Sequence, residues 1–314
     1  MDPMLDVFSA PSNAIQQGVE TAVDYVLIDG SKRAESERWL YQLFETPDYR
    51  NIFDGTEWAS IRQVAPILVR AEKNHPNFKR LLTELQEFEC GYGLTSVKSL
   101  DAVADHLSRF IEVRHPLGHN VLLRFSDPAI ARVLLASPEW GGVPEFGAVM
   151  TGTTVPDYLW GEWHVLGCPD ALLLADGSLR NQGGEKYGRL SDLTISQLVE
   201  VDRRTTLVKL LKHLENYFPD QLAGKPKADV ITELRSLMNE AIRNGYTSLQ
   251  ALTHWCTVFG CLGRPQSWDR LAPDVYEIYH QYPLQTGGPE ARKAAVRAME
   301  LAQIQNAGRA EKWA

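Results

Sequence analysis

The stretch His119–Leu135, HNVLLRFSDPAIARVLL, decides how the chain is read. Its apolar run Val121-Leu122-Leu123, followed by Arg124 and Phe125, is too short for a helix and reads as a largely buried strand. Ser126-Asp127-Pro128 stops that run. The ring of Pro128 fixes φ and suits the first position of a helix, and Asp127 before it is placed to cap exposed backbone N–H groups. Ile130, Val133 and Leu134 then recur at helical spacing, so the unit is strand, tight turn, helix. An arginine closing a strand just ahead of a capping aspartate either shapes a sheet edge or forms a catalytic one.

The residues before this unit repeat the alternation. Tyr25–Ile28 reads as a short buried strand closed by Asp29-Gly30, and a helix follows with Trp39, Leu40, Leu43 and Phe44 on one side. The strand in Ala65–Arg70 is confined to start at Pro66. Phe78, Leu81, Leu82 and Leu85 form a helical stripe, Cys90–Leu94 begins a third strand, and Leu100, Val103, Leu107 and Phe110 mark a one-sided helix. Residues 1–17 lack a period and read as a loose arm. After the central unit, Glu145–Thr154 and Tyr158–Val165 read as a hairpin with turn signals at Thr151–Thr154 and Pro156-Asp157, carrying Trp160 and Trp163 on one face. The expected architecture over 20–165 is therefore an α/β lobe with a mixed, partly parallel sheet.

Beyond Val165 the character changes. A polar, glycine-rich linker is expected over 166–190, then an α-helical lobe over 191–285 and a C-terminal helix or arm over 286–314. Thr194 with Gln197 and Thr247 with Gln250 read as capping boxes, and Asp229 as a helix cap. Asn244-Gly245 reads as a helix end. Between these signals lie stripes containing Leu207, Leu210, Leu211 and Leu214, then Leu234, Leu237 and Met238, then Leu252, Trp255, Cys256 and Phe259. A last helix is expected from Glu290 to Asn306.

Composition narrows the function. With 44% hydrophobic and 23% charged residues the chain reads as a soluble globular protein, and a net charge of −8 argues against nucleic acid as a partner. No apolar run reaches the ~20 residues of a membrane span. Four cysteines without a CxxC pair, and no secretory signal in the N-terminal residues, read as reduced thiols in the cytoplasm.

No established catalytic or phosphate-binding motif is present. His115 and His119 are separated by Pro116 and Gly118 and read as a surface turn, not a metal site. Cys256 and Cys261 read as core or near-core thiols, and no cofactor is implied. Asp29 and Asp127, each following a strand end, are the better candidates, because ligands of open α/β sheets bind there. With Arg124 they form a set able to do acid–base work. The alternative is that both aspartates cap turn N–H groups and Arg124 pairs with one of them. Trp160, Trp163, Trp255 and Trp268 are either core residues or anchors for a protein partner.

Several segments taken in order carry a resemblance. They are Tyr25–Gly30, Val64–Val69, Gly93–Ser96 and Leu123–Pro128, containing the patterns Y-x-L-I-D-G, A-P-x-L-V and L-R-F-x-D-P. Together they resemble the effector adaptor, or chaperone, family of bacterial type VI secretion over Tyr25–Val165. The helical part, with its Ala241–Gly245 turn, resembles that family's less regular C-terminal portion. The resemblance implies a non-enzymatic cytoplasmic adaptor that binds a cognate effector, at its delivery region, and helps load it onto the spike protein. Asp29, Gly30, Arg124, Asp127 and Pro128 match its signature positions, and the resemblance implies that they set the fold or shape a groove. The readings that compete with it are a hydrolase or nucleotide-dependent enzyme using Asp29 and Asp127, and an immunity protein that blocks a toxin.

Overall fold

The computed structural model describes residues 6–10, 14–15, 18–19, 23–136, 138, 141–167, 188–263, 272–280 and 292–303. Packing divides the chain into two units, one running to Asp202 and one from Arg203 onward. The linker expected over 166–190 falls mostly outside the described residues.

Strands β1 (Ala14–Ile15), β2 (Tyr25–Ile28), β3 (Tyr49–Asn51), β4 (Ile67–Arg70), β5 (Gly91–Thr95), β6 (Glu112–Arg114), β7 (Asn120–Leu122), β8 (Gly152–Asp157), β9 (Glu162–Gly167) and β10 (Gly188–Arg189) form the sheets of the first unit. Its helices are α1 (Ser36–Leu43), α2 (Phe78–Phe88), α3 (Leu100–Ser108) and α4 (Pro128–Leu134), together with the start of α5 (Asp192–Tyr217). Seven strands make one sheet in the order β1-β9-β8-β5-β2-β4-β3, and every pairing in it is antiparallel.

Alternation along the strands builds a core on each side of this sheet. Tyr25 and Leu27 of β2, Leu68 of β4, and Tyr92 and Leu94 of β5 face one core, closed by Leu100, Val103 and Leu107 of α3 and Ala131 and Leu134 of α4. Val26, Ile28, Ile67 and Val69 face the other, closed by Trp39, Leu40 and Leu43 of α1 and Phe78, Leu81, Leu82 and Leu85 of α2. A sheet covered on both faces explains why its strands read as continuous apolar runs, a pattern more usual in parallel sheets.

Several expectations need correction. The mixed, partly parallel pairing that was expected is present, but among the described residues its parallel part is β10 with β6, in a small sheet of order β10-β6-β7. The run at Val121–Leu123 is not the largely buried strand that was expected. Val121 and Leu122 lie in β7, the edge of that small sheet, with Leu122 50% exposed, and only Leu123, just past the strand, is buried. The hairpin turn lies at Tyr158–Gly161, where Gly161 takes φ 70° and its N–H bonds the Asp157 carbonyl. Thr151–Thr154 and Pro156-Asp157 fall instead at the start and within β8, because cross-strand pairing with β5 and β9 outweighs their turn preference. The described part of the N-terminal arm is not loose, since Val7 and Phe8 are buried.

The second unit contains the rest of α5, α6 (Pro219–Leu222), α7 (Lys227–Arg243), α8 (Leu249–Leu262), α9 (Pro273–His280) and a helix over 292–303. The expected stripes are buried: Leu207, Leu210 and Leu211 of α5, Leu234, Leu237 and Met238 of α7, and Leu252, Trp255 and Cys256 of α8. Gly245 at φ 87° and the Tyr246 N–H on the Ala241 carbonyl close α7 as its Asn-Gly end requires. Three caps are displaced. α5 is opened by Ser191, whose Oγ accepts from the Thr194 N–H at 3.0 Å. α7 starts after Pro226 with no side-chain cap, leaving Asp229 in its first turn, and α8 is capped by Ser248 on the Ala251 N–H.

Candidate functional site

Asp29 stands where β2 ends. Its N–H extends the pairing with β5 by donating to the Cys90 carbonyl at 2.7 Å, and its own carbonyl accepts from the N–H groups of Lys32 and Arg33. The chain must turn here against the loop before β4. A Cβ on Gly30 would lie 2.2 Å from the Ala65 carbonyl oxygen, so only glycine fits. Asp127 caps α4, its Oδ1 accepting from the Ala129 N–H at 3.0 Å, with Pro128 at the first helical position. The preceding turn is pinned from below, where the Tyr92 hydroxyl donates to the Phe125 carbonyl and the Phe125 ring is fully buried.

The two aspartates meet through cations. Arg124 Nη2 lies 3.0 Å from Asp29 Oδ2 and 3.4 Å from Asp127 Oδ2, and Lys32 Nζ lies 3.0 Å from Asp127 Oδ2. Asp29 Oδ1 accepts from both the N–H and the hydroxyl of Ser31. All four carboxylate oxygens therefore have a donor. Both aspartates are buried, whereas the Arg124 side chain is half exposed. Burial works to lower the pKa of Arg124, but the charges of Asp29 and Asp127, with that of Asp202, outweigh it and raise it. The arginine is a fixed cation, and the arrangement is a brace that joins the end of β2 to the start of α4.

Lys32 belongs to this brace and was not singled out from sequence. Its Nζ also donates to the carbonyl of Glu89, a buried residue held at φ 45° whose side chain accepts from the Tyr158 N–H at 2.6 Å. The only signal was its place three residues after Asp29. A second polar cluster also went unread: Asp157 Oδ2 receives Arg132 Nη1 at 2.8 Å and His164 Nε2 at 3.0 Å, with all three side chains buried. Arg132 and Trp160 Nε1 bond the carbonyls of Val7 and Phe8, which holds the N-terminal arm down.

The tryptophans divide. Trp163 is buried in the core beneath α1 and α2, and Trp160 is half-buried at the hairpin tip. Trp255 is buried in an aromatic row with Tyr246, Phe259 and Tyr279. Trp268 lies outside the described residues. The His115 and His119 rings stack at 4.6 Å across the β6–β7 turn. Among the described residues, no group of three or more His, Cys, Asp or Glu is placed to hold a metal ion, and no helix is long and apolar enough to cross a membrane.

Residues 25–140 match a family model described as a domain of unknown function, DUF4123. Those bounds enclose β2 through α4 and hence the whole brace. The chain is also 24% identical over 283 residues to the accessory protein VasW of Vibrio cholerae serotype O1, a match covering 89% of this chain and 88% of that one. No solved structure matches. The segment that carries the ordered motifs is thus the one that matches the DUF4123 model, and the similarity to the accessory protein extends through both units.

Proposed function

We propose that the chain is a cytoplasmic adaptor, or chaperone, that binds a cognate type VI secretion effector at its delivery region and promotes its loading onto the spike protein. The observation that carries this reading is that every oxygen of the Asp29 and Asp127 carboxylates has a donor from within the fold, supplied by Ser31, Arg124, Lys32 and Ala129. These carboxylates join the end of β2 to the start of α4, which favours a structural role for them over an acid–base one. The DUF4123 domain and the similarity to an accessory protein support the same direction. The work of such a protein is burial of apolar and aromatic surface against another polypeptide over a standard interface area. Trp160, whose indole N–H is satisfied by the Phe8 carbonyl, is half-buried at the β8–β9 turn and is the candidate anchor in the first unit.

Co-expression with the candidate effector and the spike protein tests this. An adaptor co-purifies with the effector's delivery region and increases the amount of effector recovered on the spike. Recovery of the chain alone, beside soluble effector, contradicts the proposal. Truncation of the effector separates the roles further, since an immunity protein would need the toxic domain and an adaptor would not.

A further inference from the structure

Helix α7 has two faces. Leu234, Leu237, Met238 and Ala241 are buried in the second unit. On another side, Arg235, Asn239, Ile242 and Arg243 recur at three- and four-residue steps, and with Arg203 of α5 they line an open hollow of about 550 Å³. Three guanidiniums and no carboxylate belong to its lining, in a chain whose formal charge is −8. The arginines are held in place. Arg203 Nη2 donates to Asn239 Oδ1 at 3.0 Å, Arg243 Nε donates to the Asn239 carbonyl at 3.4 Å, and Arg235 also interacts with the fold. A guanidinium positioned in advance loses less freedom when it takes up an anion.

We propose that this hollow docks a short acidic segment of a partner polypeptide, its Asp or Glu carboxylates meeting Arg203, Arg235 and Arg243. Charge complementarity selects the anion, and two features select a polypeptide. A long polyanion such as nucleic acid is repelled by the acidic chain as a whole, whereas a brief acidic run within a near-neutral polypeptide is not. The apolar Ile242 and the Asn239 amide suit methylene and peptide groups better than a bare phosphate. The proposal does not depend on the adaptor reading.

The test is titration of a fluorescein-labelled hexaglutamate peptide with the full chain at low ionic strength. Saturable binding is expected, weakened by added salt, with no binding of a hexaglutamine control. The double variant Arg235→Gln/Arg243→Gln is expected to bind at least tenfold more weakly. Thr232→Trp, at an exposed lining position, is expected to weaken binding while leaving every charge in place. Circular dichroism verifies that each variant is folded. Unchanged binding by both folded variants, or equal binding of hexaglutamine, overturns the proposal. Displacement of the peptide by tripolyphosphate at a lower concentration than by unlabelled hexaglutamate would make this a phosphate site and overturn the polypeptide assignment. None of these failures would alter co-purification with the effector, so the two readings fail separately.

Discussion

Arg124 and Asp29, 95 positions apart in sequence, are joined at 3.0 Å with the carboxylate side chain 3% exposed and the guanidinium 51% exposed. The pair is asymmetric. Water can take over part of the solvation of Arg124, but the buried aspartate depends on its protein donors. Ser31 supplies two of them and Arg124 the third.

Asp127 has more to lose. Asp127→Ala removes the α4 cap and leaves Lys32, whose side chain is 20% exposed, without its carboxylate partner. The loss of stability should be about 2–4 kcal/mol, combining about 1 kcal/mol for the cap with the cost of stranding a partly buried charge. Guanidinium unfolding of the variant measures it. A loss below about 0.5 kcal/mol, within the range of ordinary surface substitutions, contradicts the brace.

Gly30→Ala tests the close approach directly. The added methyl meets backbone, the Ala65 carbonyl oxygen at 2.2 Å and the Val64 carbonyl carbon at 2.8 Å, and backbone cannot swing aside. Destabilisation of about 1–3 kcal/mol is expected in a melting experiment. A soluble variant melting with the wild type would show that the turn opens freely.

Stability should also depend on pH through His106. Burial, aided by the charge of Arg109, holds its pKa below the ordinary 6.5 despite the carbonyls of Phe146 and Glu145. The unfolded chain takes up a proton at this residue near pH 6.5, and the folded chain only at lower pH. The stabilising contribution is therefore complete above pH 6.5 and is lost as pH falls from there toward the folded pKa. Urea unfolding at about pH 7.5 and about pH 5.5 should show a smaller difference for His106→Gln than for the wild type. His213 and His254 are shifted the same way in the second unit, so the variant isolates the contribution of the first.

Thiol chemistry gives an independent check on burial. Burial pushes the pKa of Cys90 up to about 11 and that of Cys256 up to about 12. A thiol reacts as its thiolate, so iodoacetamide at neutral pH should label neither residue at an appreciable rate until urea is added. Peptide mapping of the alkylated chain reads this. Rapid labelling of Cys256 in the folded protein would mean that the α8 stripe opens readily.

What the sequence makes legible is local. The Asp127-Pro128 cap, the stripe of α2 and the Asn244-Gly245 helix end each depend on residues within a few positions, and each is found where it was read. Strand direction is different. Tyr25–Ile28 and Ile67–Val69 are apolar throughout because helices cover both faces of their sheet, and that pattern does not reveal that the strands run antiparallel. The brace was half legible. Asp29, Arg124 and Asp127 were picked out, but Lys32 is tied to them only by tertiary packing. The Arg132–Asp157–His164 cluster was hidden because Pro156-Asp157 has the composition of a turn and the pairing of a strand.

We propose that Arg124 braces the scaffold and does not act on a bound molecule. Arg124→Ala should lose about 1–2 kcal/mol, since the arginine is half exposed and Asp29 keeps its Ser31 donors. In a unit of this size that lowers the melting temperature by roughly 3–6 °C. Melting of the variant, paired with its affinity for the effector at a temperature where it is folded, is the most direct measurement. A lowered melting temperature with affinity essentially retained is expected; an unchanged melting temperature with effector binding lost would overturn the bracing role.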